Sequence, residues 1–71
     1  MAVKSQAVKS SNITEVGYDE ETRELYVTFA GGAVYVYSGV DGGTYRALAE
    51  SDSPGGFLHR NVKDRYSHRR I

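Results

Sequence analysis

Gly32-Ala33-Val34-Tyr35-Val36-Tyr37 reads as a single β-strand. Side chains alternate across a strand, so Tyr35 and Tyr37 share one face and Val34 and Val36 the other. One face can join a core while the other presents a pair; the alternation leaves open which pair goes inward. Towards the N-terminus, residues 24–30 form the clearest strand of the chain. Leu25, Val27 and Phe29 face one way and Tyr26 and Thr28 the other, with strong β-formers throughout. Gly31-Gly32 between the two strands predicts a tight hairpin, because glycine supplies the positive φ that primed turns need. A further strand is expected over residues 13–18, with a less regular alternation. Ile13, Glu15 and Gly17 fall on one side and Thr14, Val16 and Tyr18 on the other, and Gly17 marks a bulge or a close approach. The polar run Asp19-Glu20-Glu21-Thr22-Arg23 is the turn after it. These three strands make an antiparallel meander.

Towards the C-terminus the period changes. Asp41 is a good N-cap for a short helix ending near Glu50, with Tyr45, Leu48 and Ala49 on one face. Ser51-Asp52-Ser53-Pro54-Gly55-Gly56 breaks it. A second helix is expected from about Phe57 to Tyr66, where Leu58, Val62 and Tyr66 recur every four residues and Arg60 and Lys63 turn outward. Residues 67–71 carry no period and are expected to fray. Three strands alone are not stable in water, so the helices are expected to cover the Leu25/Val27/Phe29 face. The fold class is therefore α+β: a three-stranded antiparallel meander followed by two short helices on one face, β-β-β-α-α. Residues 1–10, small and polar with no period, read as a flexible arm, and residues 11–71 as a single domain.

Composition narrows the function classes. The chain has 71 residues and no cysteine, so neither a disulfide nor a thiolate metal site reinforces its small core. Its apolar runs are too short to cross a bilayer, and Met1-Ala2-Val3-Lys4-Ser5-Gln6 has no apolar signal core. A cytoplasmic protein without a membrane partner is expected. The net charge is zero, but it is unevenly placed. Residues 59–71 hold Arg60, Lys63, Arg65, Arg69 and Arg70 against Asp64, a net +4, and residues 1–58 hold four cations against eight acids, a net −4. A basic end of this kind either meets an anion or folds against the acidic body.

Three groups of residues resemble chemistry. Tyr35 and Tyr37, if exposed beside Tyr26, would stack bases; if buried, they are core. Arg60, Lys63, Arg65, Arg69 and Arg70, with Tyr66 and the two histidines among them, suit phosphate contact and stacking. Ser53, Gly55 and Gly56 could form a small anion-binding loop at the start of the second helix, although no P-loop lysine follows them. His59 and His68 are nine residues apart with no metal-ligand spacing. No nucleophile elbow or triad signature is present. Neither a catalytic residue, a metal nor a cofactor is expected.

In order, Ser11-x-Ile13-x-x-Val16-Gly17-Tyr18-Asp19, Leu25-x-Val27-x-Phe29, Gly32-x-x-Tyr35-x-Tyr37-x-x-Val40, Tyr45-x-x-Leu48, Ser53-x-Gly55 and Arg65-Tyr66 before a basic end resemble the KTSC domain, named for the C-terminus of some lysyl-tRNA synthetases. The resemblance covers residues 8–71, and the chain looks like the free-standing bacterial or phage type; the place of the family on the synthetase suggests RNA binding. Two positions depart from the family pattern: Asp41 stands where proline commonly follows the valine, and Leu58-His59 where Phe-Asn is usual. The expected function is a non-enzymatic nucleic-acid-binding module, with RNA or a nucleotide as partner. The alternatives are a protein-interaction or self-assembly module pairing through a sheet edge, and a phage protein that captures a nucleotide at the Ser53–Gly56 loop and the arginines.

Overall fold

The computed structural model describes the backbone of residues 3–7 and residues 12–71 in full. The chain runs β1 (Val3–Ala7), β2 (Ile13–Asp19), β3 (Glu24–Phe29), β4 (Val34–Ser38), α1 (Gly42–Glu50), α2 (Pro54–Asn61) and β5 (His68–Arg70). One antiparallel sheet takes the strands in chain order, β1-β2-β3-β4-β5. The expected α+β meander is present as β2-β3-β4, with one strand added at each edge.

The register settles which face of β4 goes inward. Leu25 lies opposite Tyr37 and Val27 opposite Tyr35, and directly opposed residues share a face. Tyr35 and Tyr37 therefore stand with Leu25 and Val27 on the face that the helices cover. Leu25, Val27 and Tyr37 are buried there with Ile13, Val16, Tyr18, Val40, Leu48, Leu58 and Val62. Phe29, Tyr35, Tyr45 and Tyr66 are half-buried against this cluster. On the other face, Val36 is fully buried between Tyr26 on β3 and Arg69 on β5, its partners in register.

The irregular alternation of β2 has a different cause from the one expected. The register shifts between Ile13 and Glu15, not at Gly17. A bulge there returns Ile13 to the face of Val16 and Tyr18, so all three enter the core. The β3–β4 connection is also longer than a two-residue turn. Phe29 N–H donates to Ala33 O at 2.8 Å, Gly32 N–H donates to Phe29 O at 2.8 Å, and within the Gly31-Gly32 pair the positive φ of 95° belongs to Gly32.

Asp41 caps α1 as expected: its carboxylate accepts from Thr44 N–H at 3.3 Å and from the Thr44 hydroxyl at 2.6 Å. The Tyr18 hydroxyl donates to Val40 O just before this cap, and the Tyr45 ring stacks on Tyr18 with centroids 5.2 Å apart. These contacts fix the helix to the sheet. The second helix begins and ends earlier than expected. Pro54 sits at its first position with Ser53 as N-cap, because the fixed φ of proline suits a first helical turn. It ends at Asn61, and Val62, Lys63, Arg65 and Tyr66 form turns. Leu58 and Val62 are buried as expected.

Both chain ends differ from expectation for one reason. Within the arm expected to be flexible, residues 3–7 pair along β2, and residues 68–70 pair along β4 instead of fraying. A sheet edge offers unpaired main-chain groups to any extended segment, so these strands need no apolar period. Ser38 N–H donates to Ser67 O at 2.8 Å and Ile71 N–H to Val34 O at 2.9 Å, locking β5 at both ends. The remaining arm residues 1–2 and 8–10, and Ser11, lie outside the described residues.

Candidate functional site

Starting α2 at Pro54 assigns its faces. Pro54, Leu58 and Val62 form the buried stripe. Gly55 and His59, one turn apart, form the next stripe, which Lys63 continues just beyond the helix end. This second stripe is one wall of a groove of about 480 Å³. Phe29 from β3 and Tyr35 from β4 line it too, and His68 from β5 completes it. Phe29 and Tyr35 meet edge to face with centroids 5.5 Å apart. The His68 ring lies 5.9 Å from Tyr35 and 5.2 Å from Tyr37. The floor is thus aromatic, and the exposed rim residues His59, Lys63 and His68 carry imidazole and ammonium groups. The lining contains no carboxylate.

The residues singled out in the sequence divide among several places. Tyr35 and Lys63 line the groove with Gly55. Tyr37 does not present a ring for stacking: it is 4% exposed, and burial, with a smaller contribution from Tyr35, raises its hydroxyl pKa above the ordinary 10.0. Tyr66 packs half-buried against the core. Ser53 and Gly56 belong to the first turn of α2, and the Arg60 guanidinium folds back over them. A Cβ added at Gly56 would stand 2.9 Å from Ser53 Oγ and 3.0 Å from Arg60 Nη1. Arg70 is opposite Tyr35 in register and so belongs to the groove side of the sheet. Arg69, one residue earlier, is on the reverse side, where its guanidinium donates to Glu24 at 3.1 Å. Arg65 is exposed in the turn after α2. Among the described residues, Arg60, Lys63, Arg65 and Arg70 form no ion pair. The basic end is therefore tied to the acidic body through Arg69, while these other cations face solvent.

His59 and His68, expected only as members of the basic end, line the groove, and Phe29, expected only as core, joins them. His59 places an imidazole on the rim.

A second cleft of about 540 Å³ lies beside the Tyr18–Tyr45 pair. Glu20, Arg46 and Glu50 line it, so it mixes both signs of charge and offers no uniform field to an anion. Among the described residues no three His, Cys, Asp or Glu side chains cluster as a metal site. No helix formed by them is long and apolar enough to cross a membrane.

The KTSC domain family model matches residues 9–66, which include β2 to β4, both helices and most of the groove. This chain belongs to the KTSC domain family. It is 36% identical over 64 residues to an uncharacterized protein of Stutzerimonas stutzeri, covering 90% of each chain. It is 38% identical over 61 residues to a protein of Tsukamurella paurometabola, covering 86% of this chain and 91% of the relative. The crystal structure of a KTSC domain protein from Yersinia pestis superposes with a TM-score of 0.90 at 32% identity, over 99% of both chains. The KTSC fold of that protein and of this chain is the same over nearly its whole length.

Proposed function

We propose that this KTSC protein is a non-enzymatic cytoplasmic module that binds single-stranded RNA along the groove between α2 and the β4–β5 edge. The observation that carries the reading is the groove lining, an aromatic floor beneath a rim of one ammonium and two imidazole groups with no carboxylate. Nucleic-acid strands combine π-faces with a negative backbone, and sites for unpaired strands pair the same two features in reverse. Each base stacked on an aromatic ring is worth roughly 1–3 kcal/mol. Tyr35 is the stacking residue in this reading, and Tyr37 supports it from the core. Lys63, Arg70 and Arg60 meet phosphates around it.

Self-assembly through a sheet edge has weaker support. The C-terminal edge strand is three residues long and carries Arg69 and Arg70, and short charged edges resist pairing with another chain. Fluorescence anisotropy of labelled single-stranded RNA of mixed sequence, at low salt, tests the reading. Saturable binding is expected between about 1 and 100 μM, the ordinary range for contacts made without sequence readout. Flat curves up to that concentration would overturn it.

A further inference from the structure

The groove between α2 and strands β3 to β5 is open to solvent. Its volume of about 480 Å³ falls within the roughly 300–1,000 Å³ of pockets that enclose a small ligand. Three rings, Phe29, Tyr35 and His68, converge on it from three different strands, with Phe29 and Tyr35 perpendicular at 90°. Perpendicular rings form a corner, which receives one flat group and not a continuous stack. Across from this corner stand His59 on α2 and Lys63 in the turn after it, both exposed. The site therefore has one place for a planar aromatic body and one place for an anion.

We infer that the groove holds one unpaired nucleotide, its base in the Phe29–Tyr35–His68 corner and its phosphate at His59 and Lys63. The inference deepens the RNA-binding reading, on which its choice of site rests. The ligand class is a nucleoside monophosphate or one such unit of a single strand. A base pair in a duplex has its faces covered by its neighbours, so duplexes are excluded. Inorganic phosphate uses only His59 and Lys63 and leaves the aromatic corner empty.

Two-dimensional NMR of the full chain, titrated with adenosine 5′-monophosphate, adenosine, inorganic phosphate and phenyl phosphate, tests this. Adenosine 5′-monophosphate is expected to shift signals of Phe29, Tyr35, His59, Lys63 and His68 and to bind more tightly than each of the other three. Lys63→Gln should weaken the nucleotide about fivefold and leave adenosine unchanged. Tyr35→Leu should weaken both about tenfold. His68→Ala, at an exposed position, gives the same check on the corner where Tyr35→Leu perturbs the fold. Phenyl phosphate binding as tightly as the nucleotide would overturn the inference, because the site would then read any aromatic phosphate. Shifts confined to residues outside the groove would overturn it too. RNA that binds while adenosine 5′-monophosphate does not would remove the single-nucleotide site and leave the RNA reading standing. The nucleotide binding at the groove while RNA gives flat curves would do the reverse.

Discussion

Two residues show how local backbone chemistry sets stability. Arg23 closes the β2–β3 turn with φ 59°, and its carbonyl accepts from Val40 N–H at 2.9 Å. A left-handed conformation costs an L-residue about 1–2 kcal/mol, and glycine escapes that cost while losing roughly 0.5–1 kcal/mol through its freer unfolded chain. Arg23→Gly should therefore raise stability by about 0.5–1 kcal/mol in urea unfolding. A loss of stability would show that the Arg23 side chain contributes more than its backbone costs. Asp41 makes a prediction about pH. Its hydrogen bond from the Thr44 hydroxyl, helped by backbone N–H groups, holds the carboxyl pKa below the ordinary 3.8. A group lowered in this way stabilises the fold above its unfolded value, and the contribution disappears as pH falls through the lowered folded value. Asn also caps helices but does not titrate. Asp41→Asn should match the parent near pH 7 and lose less stability than the parent on acidification below about pH 4, read from urea midpoints along a pH series.

Elements differed in how plainly their residues announced them, and the difference follows from what stabilises each. β3 and α1 bury one side, so Leu25, Val27 and Leu48 write their periods into the chain, and Asp41 marks a start; β4 buries Tyr37 on one face and Val36 on the other, so its alternation leaves the inward face open. The loop composition of Ser53-Pro54-Gly55-Gly56 hides the first three residues of α2; Pro54 at the first helical position and the burial of its ring put them in the helix. The edge strands left no pattern, since β5 is exposed throughout and is held by main-chain bonds. That distinction is testable. Ending the chain after Tyr66 removes the bonds from Ser38 to Ser67 and from Ile71 to Val34, at about 1 kcal/mol each, and uncovers the apolar Val36. A loss of at least about 2 kcal/mol is expected in urea unfolding. A truncated chain as stable as the parent would show that β5 is not part of the folded sheet. Arg69→Ala should cost well under 1 kcal/mol by comparison, because its ion pair to Glu24 is 56% exposed on the arginine side.

At the scale of the whole molecule, the charge asymmetry was legible and its geometry was not. The net +4 of residues 59–71 can be counted in the chain. Which of those cations share a surface depends on where α2 starts and on β5 pairing at all. Register sends Arg69 and Arg70 to opposite sides of the sheet, and helix period puts His59 and Lys63 on the groove while Arg60 covers the first turn of α2. The aromatic corner likewise needs β3, β4 and β5 side by side. This partition predicts the salt dependence of RNA binding. Single-strand contacts lower log K against log salt by about 0.7 each. All five cations of the basic end would give a slope near −3.5, whereas Arg60, Lys63 and Arg70 alone give roughly −2.1. Arg69→Ala should leave the slope where it is, because Arg69 faces away and pairs with Glu24. Lys63→Ala should shallow it by about 0.7 without changing preference among sequences. Anisotropy titrations of the same RNA at several salt concentrations separate the cases. A slope that shallows equally for Arg69 and Lys63 would mean that the RNA follows the net charge of the chain end and not the groove. A steep slope untouched by Lys63→Ala would move the binding surface to the other side of the sheet.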